Sequence, residues 1–272
     1  MLKNSLKLSA PLTPRIFFGI IGSQFDKYII GIASSTGNVG IYHIAQKIAN
    51  LGYVFMTSIQ NVWGPVVYKM MFENKDKNKS LIGIYLTPFF YVSTFICLII
   101  SLFSEEIIFL MAPSEYSSGS IVITLLSILY GSFFFSKQNQ LIFAKKTWLI
   151  SILTLFGISL NVLINYIFVY RWGFIGVAWG TMLSGLISGF ISYVYSQKSY
   201  RIKWELYTYI IFIYFVVSSL AWIFLMYFNV SYEIKIMFKL ILFLGFILIG
   251  FYTKIISYQN YLLIKNLILS KI

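Results

Sequence analysis

The chain has 272 residues, 59% of them hydrophobic, 19% aromatic and only 11% charged, with a net charge of +13. A soluble domain carries about 25% charged residues, and a chain of this size keeps too much surface for so few polar groups to cover. The composition therefore excludes an ordinary soluble fold, and because Lys and Arg sit in short segments between apolar runs it excludes nucleic acid as the reason for the positive charge.

Apolar stretches of roughly 18 or more residues recur along the whole length, each long enough to cross a bilayer. They predict an all-α polytopic membrane helix bundle of about eight transmembrane helices. Ahead of the first span, Lys3, Lys7 and Arg15 are interrupted by Pro11 and Pro14. No apolar run leads to a small-residue cleavage site, so no cleaved signal peptide is expected. Span one covers Ile16 to Ser34 and carries Asp26 and Lys27 at its centre, beside Ser23 and Gln24. Charged groups at that depth cost roughly 2.5–3.5 kcal/mol each and usually face a cavity or a partner. A structural ion pair between the two is the plain alternative.

Span two covers Gly40 to Tyr68 and holds a polar stripe of His43, Lys47, Asn50, Ser58 and Asn61. Their spacing keeps them on one helix face, which lipid cannot satisfy. Pro65 here and Pro88 in span three, Leu81 to Phe103, are expected to kink their helices. Span four, Ser120 to Phe143, ends in the polar run Ser136, Lys137, Gln138, Asn139, Gln140. Span five, Trp148 to Tyr170, carries Ser151, Thr154, Asn161 and Asn165, which read as interhelical hydrogen-bonding groups. Span six, Phe174 to Tyr195, carries Gly180, Ser184, Ser188 and Ser192 with Gly185 and Gly189 beside them, a close-packing face. Spans seven, Leu206 to Phe228, and eight, Ile236 to Ile256, are nearly uniform apolar runs and read as peripheral; the tail from Ser257 to Ile272 is weakly amphipathic and suits the interface. The expected organisation is a six-helix lobe over 1–198, then two extra helices and the tail over 199–272.

Basic residues alternate between the connecting segments. Lys69, Lys75, Lys77, Lys79, Lys145, Lys146, Lys198, Arg201, Lys203 and Lys254 fall on one side with the basic N-terminal segment, whereas Glu105, Glu106 and Glu115 fall on the other. That bias predicts a multi-pass protein with both termini in the cytoplasm. No Gly-rich phosphate loop, HExxH or nucleophile elbow occurs. A single cysteine, Cys97, and a single histidine, His43, leave no internal disulfide and no Cys/His metal cluster. Neither an enzyme nor a cofactor is expected.

Three stretches carry a family resemblance. They are "PLTPRIFFGIIGSQFDKYIIGIASSTGNVGIY" from Pro11 to Tyr42, "NVWGPVVYKM" from Asn61 to Met70, and "LNVLINYIFVYRWGFIGVAWGTMLSGLISG" from Leu160 to Gly189. In order and spacing they resemble the C-terminal half of bacterial polysaccharide (O-antigen-type) flippases, in the multidrug/oligosaccharidyl-lipid/polysaccharide exporter superfamily. Lys27 stands where that family more often has Arg, and Tyr170 and Arg171 stand in place of its Pro-containing loop. The resemblance implies a lobe facing a partner across a central cavity, either an N-terminal half or a second copy of the chain. It also implies passage of an undecaprenyl-diphosphate-linked glycan, as in lipopolysaccharide synthesis, across a bacterial inner membrane. A diphosphate headgroup needs fixed cations along its route, which Lys27, Lys47 and Lys137 supply. Asp26, Lys27, Lys47, Asn50, Asn61 and Lys137 are thus the expected substrate-binding residues, with the lipid-linked oligosaccharide and membrane lipids as partners. The alternatives are an ion-coupled multidrug or lipid exporter using Asp26 as coupling carboxylate, and a non-transporting scaffold of a glycan-synthesis complex.

Overall fold

The computed structural model describes residues 13–73, 78–136, 139–228 and 230–255. All its regular elements are helical among the described residues: α1 (Thr13–Ala33), α2 (Thr36–Glu73), α3 (Asn78–Leu102), α4 (Ser104–Met111), a 3-10 turn (Ser114–Tyr116), α5 (Gly119–Ser136), α6 (Asn139–Phe143), α7 (Thr147–Ser199), α8 (Leu206–Met226) and α9 (Tyr232–Tyr252). Five helical stretches are long and apolar enough to cross a membrane: Lys79–Leu102, Gly119–Phe143, Thr147–Ser199, Leu206–Met226 and Tyr232–Tyr252. The connection after span three, read from sequence as a loop, folds as α4 and the 3-10 turn.

The 53 residues of α7 make a hairpin, because Gly173 sits at φ 58, ψ −141 and breaks the helical path. That conformation is open to glycine and costly for any side chain. The arms, 147–172 and 174–199, run antiparallel. Asn161 meets Ser184 and Asn165 meets Thr181, and a Cβ on Gly157 would lie 3.1 Å from that of Ser188. Each pair is centred on the turn, which is what a tight hairpin requires. The sequence break between spans five and six falls at this glycine.

Helix α5 is apolar on every side, as a helix surrounded by others must be. It joins two cores. In one, Ile30, Tyr42, Ala45 and Ala49 pack against Val122, Leu126, Val177 and Ala178. In the other, Met56, Trp63, Phe90, Cys97, Phe134, Phe215, Trp222 and Phe246 pack together. Glycines set the close approaches: a Cβ on Gly131 would lie 2.5 Å from the Phe215 ring, and one on Gly52 would lie 2.8 Å from Cys97 Sγ. Spans seven and eight look alike in sequence, yet the fold separates them. α8 buries Ile211, Phe215 and Trp222 and shares a Thr87–Thr208 hydroxyl contact with α3. α9 buries only Lys239, Phe246 and Gly250.

The two ends of the bundle differ in charge. At one, the Lys203 N–H donates to the Lys79 carbonyl and Lys146 reaches the Ser199 hydroxyl. At the other, Lys235 pairs with Glu105 at 3.1 Å, while Lys239, wholly buried, donates to Glu106 Oε2 at 2.7 Å and lies 4.1 Å from the centroid of the Trp222 ring.

Candidate functional site

A cavity of about 510 Å³ opens between α1, α2, α5 and the α7 hairpin. Helix α1 lines it with Gly19, Gly22 and Asp26, which share a face at spacings of three and four residues. Gly22 brings α1 against the hairpin, since its Cβ would already lie 3.4 Å from Ile158. The hairpin contributes Asn161, Thr181, Ser184 and Ser188, α2 contributes Gln46 and Tyr53, and α5 contributes Tyr130 and Ser136.

Asp26 is the anchor. It is 4% exposed. Its Oδ2 accepts hydrogen bonds from the Tyr42 hydroxyl at 2.8 Å and the Thr181 hydroxyl at 3.1 Å, and its Oδ1 accepts from Asn165 Nδ2 at 2.9 Å. Asn165 Nδ2 also donates to Thr181 Oγ1 at 3.1 Å, and Asn161 Nδ2 donates to Thr181 Oγ1 and Ser184 Oγ, each at 3.2 Å. A hydroxyl has one proton and two lone pairs. Thr181 therefore spends both lone pairs on the amides and its proton on Asp26, so the donor direction runs from the amides through Thr181 to the carboxylate. Every one of these donors is neutral. Among the described residues no ion pair joins Asp26 to Lys27, whose amine instead points to Gln24 Oε1 at 3.5 Å; the structural ion pair is not formed.

Of the five expected residues that the structure describes, Asp26 is the one that lines this cavity. Lys27 is half-buried beside it. Lys47 and Asn61 are exposed and Asn50 is half-buried, on the α2 face adjoining the one that presents Gln46 and Tyr53. Lys137 lies outside the described residues. The cavity adds Asn161, Ser184 and Ser188, which sequence assigns to packing, and Thr181, which sequence does not single out; Asn165, another of the packing residues, reaches Asp26 from outside the cavity wall. They do pack the hairpin, and in doing so Asn165 and Thr181 meet Asp26 while Asn161, Thr181, Ser184 and Ser188 line the cavity. The available signal was that polar residues on spans five and six recur at helical spacing, as they do on span two.

No protein-family model matches the chain, and no solved structure matches it. Over 190 residues the chain is 24% identical to the probable low-salt glycan biosynthesis flippase Agl15 of Haloferax volcanii. The similarity takes in 69% of this chain and 40% of that protein, so the chain spans well under two thirds of the relative's length.

Proposed function

We propose that the chain is a lobe of a transporter that passes a lipid-linked glycan across a membrane, receiving the sugar in the cavity between α1 and the α7 hairpin. The observation that carries this reading is the cavity wall, which combines a carboxylate, two amides and a row of hydroxyls. Such a wall offers donors and acceptors to a polyol while the lipid tail stays in the bilayer. The similarity to a probable glycan biosynthesis flippase supports the same reading.

The carrier is undecaprenyl diphosphate and the cargo an O-antigen-type repeat, moved across a bacterial inner membrane with both termini, and the basic end of the bundle, in the cytoplasm. Lys27, Lys47 and Lys137 offset the diphosphate charge as it passes, and Asn50 and Asn61 extend their polar face. That face meets a second lobe, an N-terminal half or another copy of the chain, and the two rock about the substrate. The chain acts by binding and motion, as a transporter rather than an enzyme.

The test is complementation of a strain lacking its glycan flippase, read as surface glycan at matched protein levels. Co-expression of the chain with a six-helix N-terminal half is expected to restore export, and the chain alone is not. Gly19→Phe is expected to abolish the rescue, because a side chain at Gly19 meets open cavity space. Full rescue by Gly19→Phe would sink the reading; rescue by the chain alone would replace the separate half with a homodimer. A second reading, an ion-coupled exporter of drugs or lipids, is favoured by one observation, the absence of a salt bridge to Asp26 among the described residues. It requires substrate movement in vesicles driven by a proton or sodium gradient without any glycan.

A further inference from the structure

The elbow between α7 and α8, residues 200–205, carries a second cavity, of about 420 Å³, on which the Asp26 site has no claim. The backbone there is extended, with Tyr200 at φ −151, ψ 112. Alternate side chains of an extended segment point opposite ways. Ile202 accordingly turns into the core, 5% exposed, and Arg201 and Lys203 turn outward together. Neither cation has an ion-pair partner among the described residues. The segment is firmly held: Gln197 Oε1 accepts the Ile202 N–H at 2.8 Å, and the Lys203 N–H donates to Lys79 at 3.0 Å. Gly83 makes room for the Lys203 carbonyl oxygen, which would lie only 2.0 Å from a Cβ there. Gln197, Trp204, Tyr193 and Tyr209 complete the basic pocket.

A third cavity, of about 390 Å³, begins where this one ends. The two share Tyr193 and Tyr209, whose hydroxyls lie 2.8 Å apart. Its walls are Phe135, Leu186, Phe190, Phe212 and Val216, from α5, α7 and α8. Ser136 and Gly189 line both this groove and the Asp26 cavity. A Cβ on Gly189 would touch Ser136 Cβ at 3.3 Å, so the two residues form the partition between them.

We propose that the basic pocket and the groove together bind an anionic phospholipid of the surrounding leaflet. The headgroup phosphate lies between Arg201 and Lys203, the ester region lies at the paired phenols, and one acyl chain lies along the groove. Charge complementarity selects the occupant, because two cations without an ion-pair partner among the described residues face a site that a zwitterionic headgroup fills without neutralising. The order of the lining, from cations through phenols to hydrocarbon rings, is the order of groups along such a lipid. The partition at Ser136 and Gly189 keeps this lipid apart from the central cavity, and the site does not depend on the transport reading.

Native mass spectrometry of the purified chain tests it, titrating phosphatidylglycerol, phosphatidylcholine and a polyprenyl phosphate. Phosphatidylglycerol is expected to be retained in preference to phosphatidylcholine. The double variant Arg201→Gln, Lys203→Gln is expected to bind phosphatidylglycerol roughly thirty-fold more weakly, about fivefold per charge. The charge-keeping double variant Arg201→Lys, Lys203→Arg is expected to retain it. Val216→Trp, which fills the groove and leaves the cations in place, is expected to weaken binding as well. Equal retention of the two phospholipids, or unchanged binding by the neutralised variant, would overturn the site. Displacement of phosphatidylglycerol by equimolar polyprenyl phosphate would overturn the assignment of its occupant.

Discussion

Two charges are buried among the described residues of this bundle, and they are treated in opposite ways. Lys239 on α9 meets Glu106 directly, has Glu105 at 3.7 Å, and rests over the Trp222 ring. Asp26 on α1 meets hydroxyls and amides alone. The first charge is neutralised where it stands, and its carboxylates are fixed to α4. Removing a partner from such a pair strands a charge, and that is costly. The second meets only neutral dipoles beside a cavity. Intramembrane charge left in that condition is characteristic of a group that acts on something passing by. The comparison separates a charge fixed to a neighbouring helix by its counter-ions from a carboxyl held by neutral donors at a cavity wall.

Four substitutions sharpen that contrast, in falling order of effect. Lys239→Ala is expected to destabilise the bundle by about 3 kcal/mol, the low end for a broken buried pair because Glu105 and Glu106 retain some exposure. Thermal unfolding in detergent measures it, and adding Glu105→Gln with Glu106→Gln should return part of the loss. Full stability of Lys239→Ala would remove the clamp. Asp26→Asn is expected to do the reverse. It should cost about 1 kcal/mol of stability, since the amide still accepts hydrogen bonds, and lower glycan export by about tenfold, the equivalent of one charge-dependent contact of roughly 1.4 kcal/mol. Normal export with Asn at position 26 would make the polar cluster a packing device. Lys27→Ala and Lys47→Ala come last, each reducing export by about fivefold or less, the worth of one cation near a phosphate. Lys27→Arg should reduce it less than Lys27→Ala does. Equal export by the alanine and arginine variants would take positive charge out of the transport path.

The sequence carries the helices more plainly than it carries their neighbours. The α7 hairpin is legible because two apolar runs meet at a glycine, and Gly173 occupies a backbone state that other residues resist. Asp26 is legible because a carboxyl in the middle of an apolar run is too costly to be idle. Its partners are not. Asn165 and Thr181 lie 139 and 155 residues away in sequence, and a polar residue at helical spacing serves packing and binding equally well until the facing helix is known. Polar spacing on α2 pointed to a face, but the turn of the helix that brings Gln46 and Tyr53 to the cavity carries Lys47 and Asn61 past its edge. Hydropathy likewise cannot rank α8 against α9. What distinguishes them is shape: Gly131 admits the Phe215 ring, and Trp222 fits beneath Lys239.

The long separation of Asp26 from its amide and threonine donors also sets an order of events at the ribosome. Chains emerge at about 5–20 residues per second, so α1 precedes Asn165, 139 residues later, by roughly 7–30 seconds. During that interval Asp26 lacks two of its three hydrogen-bond donors. Tyr42, 16 residues away, emerges within a few seconds at the same rate, on the very next helix. Its phenol is the first lasting support the carboxylate meets, and it bridges α1 and α2 until the hairpin of α7 arrives to close the cluster.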